Sequence, residues 1–334
     1  MTQKDSGAPS LAVVVPYYNE EDVLAETSRR LSLVLDALAA EGKLSNNGAL
    51  YFVDDGSTDR TWELIERLSA ENPNILGIKL SRNRGHQNAL LAGLFTAEGD
   101  AVVSIDADLQ DDVGAIPQMV DKFLGGTEIV YGVRKNRGTD SWFKRRTAAL
   151  FYAIMRLLGA ESISDHADFR LMSRRAIEAL KTYREVNLYV RGIVPLLGLR
   201  SEIVYFDRAK RFAGTSKYPL WKMMGLALEA ITSFSVVPLR LITLIGFLVF
   251  IVSLVVSAWV VWVRFASDLA VPGWASVVLP MYLLGGIQLF YIGILGEYLG
   301  KTYSEVKNRP RYLIEKITAS AERVSANADG RSGD

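Results

Sequence analysis

Three short apolar runs in the first third of the chain stop abruptly at polar groups, and a helical pattern follows each one. Leu11 to Val15 runs into Pro16-Tyr17-Tyr18-Asn19-Glu20, Leu50 to Val53 into Asp54-Asp55-Gly56-Ser57-Thr58-Asp59, and Val103-Ser104-Ile105 into Asp106-Ala107-Asp108-Leu109-Gln110. Runs this short, rich in β-branched residues and apolar on both faces, fit the buried strands of a parallel sheet. Val23, Leu24, Leu31, Val34, Leu35 and Leu38 recur at helical spacing over Glu21 to Ala40, and further helices are expected at Thr61 to Ala70, Asn88 to Ala97 and Pro117 to Phe123. Ile75 to Leu80, Glu128 to Val133 and Ile203 to Phe206 read as strands, and Arg174 to Lys181 and Trp142 to Gly159 as helical. This order predicts an α/β domain with a mostly parallel sheet and one active edge, where its acids gather.

The acidic tip after Ile105 carries the most chemistry. In an extended strand alternate side chains share a face, so Asp106, Asp108 and Gln110 would present three oxygens toward one point. A hard divalent ion, Mg²⁺ or Mn²⁺, suits such ligands, and it is ordinarily shared with substrate phosphates. Asp111 and Asp112 precede a helix and read as caps. At the end of the second strand Asp54 and Asp55 are placed to contact a base or ribose, while Ser57, Thr58 and Asp59 read as turn and cap residues. Arg82 and Gly85 sit before a helix start, a natural place for an anion, whereas Arg84 reads equally well as part of a solvated turn. In Ser162 to Leu171 the acids precede a helix, so one of Asp165 and Asp168 is expected to cap it, and His166 reads as polar packing. Arg208 to Lys217 is basic and holds Gly214, Thr215 and Ser216, the composition of a loop that folds over an anion.

The second half of the chain changes character. Leu241 to Val263 and Leu269 to Gly296 contain no charged residue. A 23-residue helix reaches roughly 35 Å, enough for a hydrocarbon core of about 30 Å, so both runs are expected to span a membrane, the second from near Ser276 because Pro272 and Gly273 precede it. Lys217, Lys222 and Arg240 flank the first run and Lys301, Lys307, Arg309, Arg311 and Lys316 follow the second, which predicts cytoplasmic termini and catalytic domain. The expected layout is a flexible 1–9, an α/β domain over 10–218, an interfacial amphipathic helix over 219–237, two spans over 238–300, and a cytoplasmic segment over 301–334 that lies at the lipid surface and ends in disorder. A net charge of +1 argues against a nucleic-acid partner, and with no cysteine the chain has neither thiolate chemistry nor disulfides.

Five motifs in order, Pro16 to Glu20, Asp54 to Asp59, Asp106 to Gln110, Asp168 to Leu171 and Arg211 to Lys217, resemble those of polyprenyl-phosphate glycosyltransferases. These are inverting family 2 enzymes with the GT-A, Rossmann-like fold, akin to dolichol-phosphate mannose synthase. The two-span C-terminal part, with Gly296-Glu297-Tyr298-Leu299-Gly300 and Arg309-Pro310, looks most like the bacterial branch that loads undecaprenyl phosphate with glucose. The resemblance covers residues 10 to 316 and implies transfer of one sugar from a nucleotide sugar, UDP-glucose first, to undecaprenyl phosphate at the cytoplasmic face of the bacterial inner membrane. GDP-mannose, UDP-N-acetylglucosamine and a modified pentose donor remain alternatives, as does a non-catalytic nucleotide-binding scaffold. By resemblance Pro16, Tyr18, Glu20, Val53, Asp54, Asp55, Asp106 and Ala107 would cradle the nucleotide, and Arg134, Arg211 and Lys217 would hold phosphates. Asp106, Asp108 and Gln110 would hold the metal, with Asp108 and Gln110 the firmest ligands, and Asp168 would stand as base or acceptor-side acid. The resemblance also implies a homo-oligomer, a tetramer packed through the membrane helices; two spans without intramembrane charge offer no path for a polar cargo, so flipping is expected to fall to a separate partner. The Gln-x-x-Arg-Trp mark of processive synthases is absent, which implies one sugar per lipid.

Overall fold

A computed structural model describes residues 7–45, 48–134, 166–185, 190–207 and 274–318, with single positions between 244 and 255. The chain divides into two compact units, one of 1–145, 162–217 and 310–334, the other of 146–161 and 218–309.

The first unit is built on an eight-stranded sheet of order β7-β5-β6-β4-β1-β2-β3-β8. Its strands are β1 (Leu11–Tyr17), β2 (Ala49–Asp54), β3 (Ile75–Leu80), β4 (Ala101–Ser104), β5 (Ile129–Arg134), β6 (His166–Ser173), β7 (Ser201–Phe206) and β8 (Ile314–Ile317). The helices α1 (Glu21–Ala40), α2 (Thr61–Glu71), α3 (His86–Thr96), α4 (Ile116–Leu124), α5 (Arg174–Lys181) and α6 (Val190–Leu196) lie between them in sequence. As the alternation of runs predicts, β4, β1, β2 and β3 are parallel neighbours, and β5 runs parallel to β7. β6 and β8 run antiparallel to their partners, so the sheet is mixed.

Every residue of β1 is buried, because a central parallel strand is covered on both faces. α1 lays Val23, Leu24, Leu31, Leu35 and Leu38 into the core, the stripe that the helical spacing predicts. α3 lies especially close to the sheet. A Cβ on Gly93 would fall 2.3 Å from Val14 Cγ1 and 2.8 Å from Val53 Cγ2, so only glycine lets this helix seat on β1 and β2. On the other side of β4, Phe169 meets Phe206 edge to face at 5.3 Å, joining β6 to β7.

Several local expectations change. β4 stops at Ser104, and Asp106 to Gln110 form a turn with Leu109 at φ 55° rather than a continued strand. The alternate-face argument for three converging oxygens therefore does not apply to them. Asp168 lies inside β6 and caps nothing, since the N-cap of α5 is Ser173, whose hydroxyl accepts the Ala176 amide at 3.0 Å. Asp112 does cap, accepting Gly114 N at 2.9 Å at the start of a 3₁₀ turn, but Asp111 is buried and pairs with Arg134. The C-terminal segment, read as a tail at the lipid surface, returns to the sheet as β8 and pairs with β3 from Ile78↔Ile317 to Leu80↔Ile314.

The second unit is described mainly through α7 (Trp274–Lys307), one helix of 34 residues. Its apolar side chains Val277, Met281, Ile292, Leu295 and Leu299 are each more than half exposed. Over the described residues no helix is long and apolar enough to cross a membrane. The expected first span, the interfacial helix over 219–237, the helical stretch from Trp142 to Gly159 and the basic loop with Arg211 and Lys217 lie outside the described residues, apart from the single positions between 244 and 255.

Candidate active site

Strand register brings the polar ends of β1, β2 and β4 to one edge. Tyr17 pairs with Asp54, Asp55 N donates to Tyr17 O at 2.9 Å, and Ile105 N donates to Val14 O at 3.1 Å. The loops after β1 and β2 are tied to each other. Asn19, at φ 53°, donates its amide to Ser57 Oγ at 3.0 Å and accepts Thr58 N at 2.8 Å, while Glu20 N donates to Thr61 Oγ1 at 3.0 Å. Pro16 and Val53 are buried in their strands, whereas Tyr18 is exposed and Glu20 half-exposed on the open side.

The two acids after β2 have structural partners. Asp54 is fully buried and accepts Ser57 N at 3.2 Å. Asp55 accepts Arg84 N at 2.7 Å and Gly85 N at 2.9 Å, so it holds the approach to α3. Burial pushes both carboxyls above their ordinary range, against the bonds they accept. Gly56, at φ 69°, lies under this approach. A Cβ there would sit 2.6 Å from the backbone of Arg82 and Asn83.

Held in this way, α3 begins at His86, and His86 Nε2 lies between two carboxylates, 3.4 Å from Asp106 Oδ1 and 3.3 Å from Asp168 Oδ2. Asp168 comes from β6, paired alongside β4, where Ser104 Oγ donates to the Asp168 carbonyl at 2.5 Å. The Asp168 carboxylate is gripped by arginines. Arg170 Nη2 donates to Oδ1 at 2.7 Å, Arg191 Nε to Oδ1 at 3.0 Å, and Arg191 Nη2 to Oδ2 at 2.8 Å. Burial works against its charge, yet the bonds from His86 and Arg191 and the charges of Arg170 and Arg191 hold it well below the usual carboxylate range. For His86 burial opposes the charged form, but the two carboxylates win and raise it.

Asp106 has the opposite setting. Among the described residues its Oδ1 is buried with no hydrogen-bond partner. Burial, partly offset by His86 and reinforced by Asp168, Asp111 and Asp108, pushes its carboxyl up to about 6. One ring nitrogen of His86 and one carboxylate oxygen each of Asp106 and Asp168 lie within 4.8 Å of one another, close enough for a cation. Asp168 is a poor member of such a set, because two guanidinium groups already neutralise it and would repel a divalent ion. The buried, unbonded Asp106 oxygen, with Asp108 two residues on, fits a hard cation better. Asp108 Oδ1 accepts the Gln110 backbone amide at 3.1 Å, which ties the Asp108 side chain into the turn.

The structure thus gathers Asp106, Asp108, Asp168, Asp54 and Asp55 at one edge, with Ala107 buried beneath the turn. Arg134 points its guanidinium at Asp111, 3.0 Å away. The side chains of His86, Arg170 and Arg191 are functional candidates that the motif reading missed. Two residues apart on one strand, Asp168 and Arg170 share a face, and recognising His166 to Ser173 as strand would have found that pair.

Residues 12–181 match the family profile Glycosyl transferase family 2. The chain is 50% identical over 309 residues, 92% of its length and 91% of the relative's, to the uncharacterized glycosyltransferase YkoT of Bacillus subtilis (strain 168). It is 39% identical over 307 residues, 92% and 97% of the two lengths, to the SfII prophage-derived bactoprenol glucosyl transferase of Shigella flexneri. It is also 39% identical over 311 residues, 92% and 99% of the lengths, to the prophage bactoprenol glucosyl transferase homolog of Escherichia coli (strain K12). With an α/β, GT-A-like domain whose acids line one sheet edge, this chain is a glycosyltransferase and belongs to glycosyl transferase family 2.

Proposed function

We propose that this protein transfers one sugar, glucose from UDP-glucose, to a polyprenyl phosphate, undecaprenyl phosphate, with inversion at the anomeric carbon. The carrying observation is that the near-full-length relatives include proteins named bactoprenol glucosyl transferase. A site with separate acidic and arginine-paired parts supports it. In the reaction a phosphate oxygen of the lipid attacks the anomeric carbon, the bond to the nucleoside diphosphate breaks, and negative charge passes to that leaving group. Bound Mg²⁺ or Mn²⁺, held by Asp106 and Asp108 with Gln110 beside them, would supply Lewis-acid stabilisation of that charge.

The other tasks fall to the chain. Tyr18 and Glu20 face the open side where the nucleotide would lie, with Asp54 and Asp55 shaping the floor. Arg134, with Arg211 and Lys217 from the basic loop, would offset repulsion between the phosphates on either side of the sugar. A phosphate monoester has a second pKa of about 6, so near pH 7 the acceptor is mostly dianionic and little deprotonation is needed. Asp168, held ionised by Arg170 and Arg191, suits orientation of the reacting groups more than proton removal.

The acceptor sets the location. The two charge-free runs, the apolar exposed side chains of α7 and the flanking Lys and Arg support two membrane spans, with the catalytic domain and both termini in the cytoplasm. A tetramer and a separate flippase complete this reading. The decisive assay supplies undecaprenyl phosphate with UDP-glucose, GDP-mannose, UDP-N-acetylglucosamine and a nucleotide-linked pentose side by side. Preferred turnover of UDP-glucose is expected. Preference for another donor would replace the sugar, and no turnover with any would remove the acceptor as well.

A further inference from the structure

Three chain segments far apart in sequence close a ring around Asp168. His86, the first residue of α3, faces the Asp168 carboxylate at 3.3 Å. Its neighbour Gln87 accepts the Val190 amide through Oε1 at 3.0 Å, which fixes the first residue of α6. The next residue, Arg191, returns to Asp168 with two donors, at 3.0 and 2.8 Å.

The carboxylate does not need Arg191 for neutrality. Arg170 already lies 2.7 Å away and is fully buried, with Nε and Nη1 making no hydrogen bond, so among the described residues its bond to Asp168 is the contact that ties it down. A second guanidinium beside the first adds like-charge repulsion. What it contributes is geometry: one nitrogen on each oxygen of a planar fork fixes the rotation of the carboxylate, which the single bond from Arg170 leaves open. Arg191 itself is 38% exposed and comes from a short helix at the rim, unlike the buried Arg170.

We propose that Arg191 is a positioning residue for sugar transfer, acting through Asp168, and that Gln87 sets it in place by holding the start of α6. The inference rests on the reading of Asp168 as part of the transfer site. Loss of the grip lets the carboxylate turn away from His86 and from the reacting groups, and misplacement of about 1 Å at a reacting centre can cost roughly 100-fold in rate.

The test is a double-mutant cycle on the full-length protein with undecaprenyl phosphate and the best nucleotide-sugar donor. Arg191→Met should lower kcat by about 30- to 100-fold with the donor KM changed less than about threefold, as expected for a change in geometry alone. Arg191→Lys, which reaches one oxygen at a time, should recover part of that loss, and Gln87→Ala should lose about tenfold or less. The double variant Asp168→Asn with Arg191→Met should be no slower than Asp168→Asn alone. Multiplying losses in the double variant would mean that Arg191 acts directly on a substrate phosphate, and wild-type kcat in both Arg191 variants would remove it from the site. Either result overturns the inference while wild-type turnover keeps the proposed reaction standing. A wild-type protein inactive with every donor would instead sink the reaction.

Discussion

Replacing Asp168 by alanine would take from Arg170, fully buried, the one hydrogen-bond partner its guanidinium has among the described residues. Breaking a buried pair in this way costs about 3–5 kcal/mol. Asp108 lies half-exposed in a turn and receives the Gln110 amide, a bond worth about 1 kcal/mol. Asp168→Ala is therefore expected to shift the denaturant midpoint strongly and Asp108→Ala only slightly, while both lose transfer. Equal stability of the two variants would show that the Arg170 pair carries no such weight. The same contrast explains what could be read from residues alone. Asp106 stands out by its place after an apolar run and Asp168 by its motif, but their arginine and histidine partners sit 2 to 82 positions away and are paired only by the fold. His86 in particular looks like one polar residue in a basic turn, and its role depends on α3 seating against β1 through Gly93.

At the scale of elements, the strand that closes the sheet is the one furthest from its neighbour in sequence. Thr318, just past β8, accepts Gly77 N at 3.0 Å through Oγ1, bonds the Ser69 hydroxyl at 2.7 Å and donates its amide to Gly77 O at 3.0 Å. Lys316 meets Glu66 and Lys79 meets Glu315 along the same edge. Arg311 donates to the carbonyls of Tyr183 and Glu185, so the segment also fastens the chain ahead of α6. Thr318→Val keeps the shape but removes the hydroxyl that accepts the buried Gly77 amide, and should cost about 1–3 kcal/mol in a chemical unfolding curve. A variant as stable as wild type would mean that the Thr318 hydroxyl contributes nothing to holding β8. Local pattern could not reveal this strand: Ile314-Glu315-Lys316-Ile317 is four residues long, and charged neighbours made it resemble a surface tail. By contrast β1, β2, β3 and α1 were legible because a buried parallel strand and an amphipathic helix each impose their own period on the sequence.

Across the whole molecule, sequence and structure agree that acids gather at one edge of a mostly parallel sheet and differ on how that edge is assembled. The strand-then-acid repeat foretold one edge of a mostly parallel sheet, and register indeed brings Tyr17 and Asp54 side by side there. The antiparallel β6, which carries Asp168 and Arg170 to that edge, breaks the repeat and so escaped it. In the proposed reaction the acidic turn and the arginine-held Asp168 serve a single sugar transfer to a lipid phosphate. Mass analysis of undecaprenyl phosphate after incubation with UDP-glucose tests it most directly, run with Mg²⁺ or Mn²⁺, with a chelator, and with Asp108→Ala. The expected result is a lipid carrying one added hexose with the metal present, and none with the chelator or the variant. Hexose transfer that survives both the chelator and Asp108→Ala would contradict the account.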